Sequence, residues 1–177
     1  MNVADPETRL LDAHHDPQHD AHHESLRVWL RLLTCTLTIE RQVRVQLRKR
    51  FAMTLPRFDL MAQLERNPHG LKMGELSRRL MVTSGNVTGL TDQLVQERLV
   101  ERILIATDRR AFLVRLTTKG KQAFDLMASE HEGWVIAMFS GLSTGERDRL
   151  HALLGRLKTT MPPSDVLAAE KEMDKEN

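Results

Sequence analysis

The sequence predicts a mainly α domain carrying one small β-hairpin. Three observations predict it. Apolar residues recur at three- and four-residue spacing over most of residues 24–161. The period shortens to two only between Leu99 and Leu116. No apolar run approaches the roughly 20 residues of a membrane-spanning helix, the longest candidate being Trp134 to Phe139. With 177 residues, 41% of them apolar and 28% charged, the chain has enough material for one compact core.

Residues 1–23 read as a flexible His/Asp-rich tail. They hold Pro6, Pro17 and five of the eight histidines: His14, His15, His19, His22 and His23. Imidazole beside carboxylate is good ligand chemistry, and His15, His19 and His22 would share a helix face. Pro17 lies between them and disfavours that helix. No metal site is therefore expected.

From Glu24 to Phe51 the spacing is helical, with Leu26, Leu30, Leu33, Leu37, Val43, Leu47 and Phe51 on one stripe. A helix this long exceeds what a small domain covers alone and invites a second subunit. Thr54-Leu55-Pro56 opens the next helix, where Pro is tolerated because its missing N–H has no partner anyway. Phe58, Met61 and Leu64 mark its buried face, and Asn67-Pro68-His69-Gly70 stops it. A short helix at 72–80 turns inward through Met73, Leu76 and Leu80. Met81-Val82-Thr83 forms a tight turn, and Thr83 caps a further helix at 84–97 with Val87, Leu90 and Leu94 buried.

Two short helices around a tight turn form a helix-turn-helix. The second presents Ser84, Asn86, Thr88 and Thr91 with Gly85 and Gly89. These are small or polar side chains over which a nucleic-acid surface can approach closely. Asn reads adenine bidentately, and Ser or Thr meets bases or phosphate. Two glycines cost such a helix about 1 kcal/mol each relative to Ala, which favours a contact surface over a neutral face.

Leu99 to Ile105 alternates as a strand, Ala106 to Ala111 reads as a polar loop, and Phe112 to Leu116 is a second strand. Behind a helix-turn-helix this hairpin is a wing. Arg109 and Arg110 near its tip suit the minor groove, where narrow A·T tracts concentrate negative potential. Asp108 cannot attract DNA; its role is to hold Arg110 through a charge-assisted hydrogen bond. Thr117-Thr118-Lys119-Gly120 leads into a helix at 118–139 with Phe124, Met127, His131, Trp134, Val135 and Met138 inward. Ser143-Thr144-Gly145-Glu146 is a capping box opening the last helix, and Pro162-Pro163 ends it.

The net charge of +2 conceals an asymmetry. Residues 1–25 hold six acids against one Arg, 162–177 five acids against two Lys, and 120–161 five of each, leaving +10 on residues 26–119. The basic stretch coincides with the helix-turn-helix and wing and points to a polyanion. Enzyme chemistry finds no foothold: there is no P-loop, no glycine pair after a strand and no Cys-x-x-Cys. The single Cys35 excludes an intramolecular disulfide framework. Its neighbours are apolar or Thr, without an adjacent Lys or His, so it is expected to be buried and inert. No signal peptide is read at the N-terminus, and a cytoplasmic protein is expected.

The order of a long helix, LPRFDLMAQL, GELSRRLMVTSGNVTGLTDQLVQERLVER, DRR and LVRLTTKG resembles the MarR family of winged helix-turn-helix transcriptional regulators over about residues 25–160. The resemblance implies a winged helix-turn-helix with long dimerisation helices, 24–51 and 118–160, around a DNA-binding part, 55–117. Residues 162–177 form an acidic C-terminal tail outside this 24–161 domain. It implies a homodimeric, effector-responsive repressor without a cofactor, released from a palindromic double-stranded operator. Two departures stand out. Many members carry Gly just after the recognition helix, whereas here the residue is Arg98: either the turn differs or Arg98 takes a left-handed backbone. The chain also has no tyrosine, which weakens the analogy to peroxide-sensing members.

Within the family, Val28-Trp29-Leu30-Arg31-Leu32-Leu33-Thr34-Cys35 with Leu55-Pro56-Arg57-Phe58-Asp59-Leu60-Met61-Ala62-Gln63-Leu64 is similar to repressors of hydroxycinnamate catabolism. Those respond to coumaroyl- or feruloyl-CoA thioesters. That resemblance implies an aromatic acyl-CoA effector, with a simple aromatic carboxylate as the alternative. The pocket residues expected are Trp29, Arg31, Leu33, Phe58, Met61, His131 and Trp134. A winged helix used only for protein interaction is the competing reading of a different class.

Overall fold

The computed structural model describes residues 17–105 and 108–161, with side chains over 23–104 and 112–161. The element order is α1 (Pro17–Phe51), α2 (Leu55–Glu65), β1 (Leu71–Lys72), α3 (Met73–Leu80), α4 (Ser84–Gln96), β2 (Val100–Ile105), β3 (Asp108–Leu116), α5 (Thr118–Met138) and α6 (Thr144–Thr160). The three strands form one antiparallel sheet ordered β1-β3-β2. The described residues divide into two compact units, which part between Glu132 and Gly133.

Three expectations need correction. α1 begins at Pro17, so residues 17–23 of the expected tail are helical. Pro17 sits in the first turn, where its fixed φ suits a helix and its missing N–H costs nothing, so it starts this helix instead of breaking it. The hairpin gains a third strand, because Leu71 and Lys72 pair with Val114 and Leu113. Residues 108–111 belong to β3 and not to the connecting loop. The remaining residues of the two expected tails lie outside the described residues.

The core of the first unit gathers around α2. Leu60, Met61, Leu64, Leu76, Val87, Leu94 and Val114 are 0–1% exposed, and Val43 and Leu47 join them from the second half of α1. The first half of α1 behaves differently. Leu26, Trp29, Leu30, Leu33 and Leu37 are 38–55% exposed. Their spacing forms the expected stripe, but nothing among the described residues covers it. In the second unit, α6 opens on the expected capping box, in which Ser143 N and Oγ both donate to Glu146 Oε2 at 2.8 and 2.7 Å. Its stripe of Leu150, Leu153, Leu154 and Leu157 is likewise uncovered. Contiguous apolar faces of this kind mark contact surfaces. Cys35, on the uncovered half of α1, is exposed, contrary to the burial expected of it. Among the described residues, no helix is long and apolar enough to cross a membrane.

Candidate nucleic-acid interface

The helix-turn-helix is built from α3, residues 81–83 and α4. Thr83 caps α4, its Oγ1 accepting from Asn86 N at 3.4 Å. Val87, Thr91 and Leu94, spaced four and three, turn fully inward. Ser84, Gly85, Asn86, Thr88 and Gly89 remain exposed on the opposite side. Thr88 donates its hydroxyl to Ser84 O at 2.9 Å. Thr91 is the exception among the expected contact residues. It is 0% exposed and its hydroxyl lies 3.8 Å from Met73 Sδ. It packs α4 against α3 and cannot reach a ligand on the outer face. The four-residue step from Val87 already assigned it to the buried stripe.

Sequence reasoning missed two exposed cations of the helix-turn-helix. Arg78 and Arg79 end α3, both exposed, and neither forms an ion pair among the described residues. Their adjacency in Ser77-Arg78-Arg79-Leu80 was the available signal. Asp92 on α4 pairs instead with Arg102 on β2, whose guanidinium lies 5.1 Å from the centre of the Phe112 ring. The outer helix is thereby joined to the base of the wing.

At its C-terminal end, α4 is held by a dense junction. Arg98 takes φ 59°, the left-handed conformation that the missing glycine would have adopted freely. The cost is about 1 kcal/mol, offset by the bonds that cap the helix. Arg98 N donates to Val95 O and Leu99 N to Leu94 O, both at 2.9 Å. Thr117 Oγ1 donates to Arg98 O at 2.8 Å, and Lys119 Nζ to Glu97 O at 3.0 Å. Thr117 Oγ1 also accepts from Gly120 N at 2.9 Å, which starts α5. Gly120 itself lies against Leu99, where a Cβ would fall 1.8 Å from the carbonyl oxygen. From below, the buried Arg57 of α2 pairs with Glu97. The Thr117-Thr118-Lys119-Gly120 stretch therefore locks the wing base and α5 to the end of α4.

In the wing, Val100 to Leu104 face Leu116 to Phe112 in register, and Arg115 Nε donates to its cross-strand partner Glu101 at 2.7 Å. The register shifts after Leu104, and Ile105 pairs with Asp108. Asp108, Arg109 and Arg110 thus stand in β3 at the irregular end of the ladder. The side chains of 105–111, and with them the expected Asp108–Arg110 bond, lie outside the described residues.

Of the expected effector residues, the structure brings Phe58 and His131 together, with ring centroids 5.2 Å apart. Phe124, not among the expected set, stacks on Phe58 at 5.4 Å. Met61 is buried one turn along α2. Burial holds the His131 imidazole below its usual range and, with Glu40 as the second cause, raises the Asp59 carboxyl. Trp29, Arg31 and Leu33 stand instead on the uncovered half of α1, outside this ring cluster. Trp134 is half-buried in the second unit.

A family model described as "MarR family" matches residues 53–111. The HTH-type transcriptional repressor YetL of Bacillus subtilis (strain 168) is 32% identical over 98 residues, which span 55% of this chain and 59% of YetL. A MarR family transcriptional regulator from Silicibacter pomeroyi superposes with a TM-score of 0.68 at 30% identity, covering 80% of this chain and 98% of that one. Sco3205 of Streptomyces coelicolor, a MarR family transcriptional regulator solved in complex with DNA, shares the fold with a TM-score of 0.70 at 21% identity, over 81% of this chain and 91% of its own.

Proposed function

This chain belongs to the MarR family, and from that premise we propose that it is a DNA-binding transcriptional repressor acting as a homodimer. The observation that carries the reading is the outer face of α4. Ser84, Asn86 and Thr88 are exposed around two glycines, and Arg78 and Arg79 are exposed in the last turn of the preceding helix. In the proposed complex α4 enters the major groove, Asn86 reads a base, and Arg109 and Arg110 reach the minor groove with Asp108 orienting Arg110. The uncovered stripes of α1 and α6 form the dimer contact, which sets two recognition helices about 34 Å apart on a palindromic operator.

A gel shift tests the assignment. Arg110→Ala is expected to weaken operator binding strongly while the dimer stays folded, and Arg109→Ala to do so less. Asn86→Ala should cost about 1–3 kcal/mol on the preferred operator and relax base preference at one position per half-site. Unchanged affinity of Arg110→Ala contradicts the wing assignment. An equal loss with Asn86→Ala on every sequence makes Asn86 a phosphate contact. Failure of the wild type to prefer any duplex leaves a protein-interaction module.

The effector proposed is an aromatic acid carried as its CoA thioester, of the hydroxycinnamoyl class. The reading of an aromatic ligand draws on the resemblance and on the half-buried His131 beside the buried Phe58–Phe124 stack. Arg27 and Arg31, exposed on the first half of α1, are the cations proposed for phosphate. Each charge-assisted bond lost with CoA is worth about 1.5–3 kcal/mol, so free p-coumarate should bind orders of magnitude more weakly than p-coumaroyl-CoA. Calorimetry with the two side by side decides it, and equal binding leaves a sensor of simple aromatic carboxylates.

A further inference from the structure

Met81 is the most exposed large apolar residue described, at 91%, and it occupies the turn of the helix-turn-helix. Its backbone is left-handed, with φ 53°. A β-carbon is penalised there, so glycine would serve the turn better. Nor is the turn loose. Met81 N donates to Arg78 O at 3.3 Å and Val82 N to Ser77 O at 3.2 Å, while Ser77 Oγ donates to Val82 O at 2.6 Å. The fold thus fixes the direction of a side chain that contributes no packing to it. On one side stand the exposed cations Arg78 and Arg79, and three residues on is Ser84, the first residue of α4. A polar or cationic residue in that setting would meet phosphate. A thioether cannot, but a DNA duplex also presents apolar atoms, the thymine 5-methyl group and the deoxyribose carbons.

We infer that Met81 is an apolar contact to operator DNA, placed by the α3–α4 turn beside the groove that α4 enters. The inference rests on the DNA-binding reading above. It adds a residue outside the polar face of α4.

The test measures anisotropy of labelled operator, selected from random duplexes by the wild-type protein, together with thermal melting. Met81→Gly is expected to melt at or above the wild-type temperature, because it relieves the backbone and removes no packing. Its operator affinity should nevertheless fall about tenfold, the scale of one apolar side chain losing burial. Met81→Gln should fall similarly, Met81→Leu should retain affinity, and all three should keep the wild-type salt slope because the phosphate contacts persist. Replacing half-site thymines by uracil one at a time identifies the apolar partner. If one replacement weakens the wild type and leaves Met81→Gln unchanged, the partner is a thymine methyl; if none does, it is deoxyribose. Wild-type affinity within twofold for both Met81→Gly and Met81→Gln overturns the contact while leaving the DNA-binding reading intact. A wild type that prefers no duplex overturns both.

Discussion

Gly120→Ala is expected to destabilise the winged-helix part of the molecule strongly. Helix propensity alone argues for the change, since alanine is the better helix former by about 1 kcal/mol. Packing reverses the sign. The new methyl would sit 1.8 Å from Leu99 O and 2.7 Å from Leu99 C, which are backbone atoms with no rotamer to vacate. The Leu99 carbonyl also accepts from Thr117 N at 3.1 Å, so moving it breaks the link between the start of α5 and the end of α4. Overpacking usually costs 1–3 kcal/mol, and a backbone clash lies at or above the top of that range, about 3 kcal/mol or more. Gly89→Ala is the matched control. It too lies in a helix, but a Cβ there meets nothing within 4 Å. It should stabilise the fold by roughly 0.5–1 kcal/mol while hindering close approach to DNA. Urea denaturation of the two variants compares them directly, and equal effects would show that the Leu99 approach does not govern Gly120.

Glu97→Ala is the second large loss expected, and it exceeds the effect of removing its partner. The pair is asymmetric: the Arg57 side chain is 9% exposed and that of Glu97 47%. Arg57 Nε already lacks a hydrogen-bond partner and is buried. Removing the carboxylate leaves a buried guanidinium without its counter-charge, a loss of about 3 kcal/mol. Arg57→Met instead leaves a carboxylate that water can reach, and so costs less. The double variant Arg57→Met/Glu97→Ala should recover part of the Glu97→Ala loss. Chemical denaturation of all three completes the cycle, and additive losses would show that the two side chains do not act as a pair.

Local chemistry made most of this fold legible. Thr83, Ser143 and Pro56 announced helix starts, and the change of period at Leu99 announced the hairpin. The left-handed Arg98 was one of two outcomes that its position left open, and the structure selects it. What escaped depended on partners distant in sequence. Strand β1 exists only because Leu71 and Lys72 find β3 some forty residues on. The buried Arg57 reads as an ordinary surface arginine until α2 and the end of α4 are packed together. Leu26 to Leu37 are no such surprise: the helix was expected to exceed what one domain covers, and among the described residues they stay exposed. Thr91 was misassigned by chemistry: its hydroxyl suggested a contact while its spacing from Val87 placed it inside.

Selection of binding sites from a random duplex pool, followed by affinity measurement at physiological salt, tests the central claim most directly. The account predicts an inverted repeat whose half-sites lie about one helical turn apart, bound at least ~10³-fold more tightly than a scrambled duplex, with the preference lost in Arg110→Ala. No enrichment, and equal affinity for selected and scrambled DNA, would contradict it.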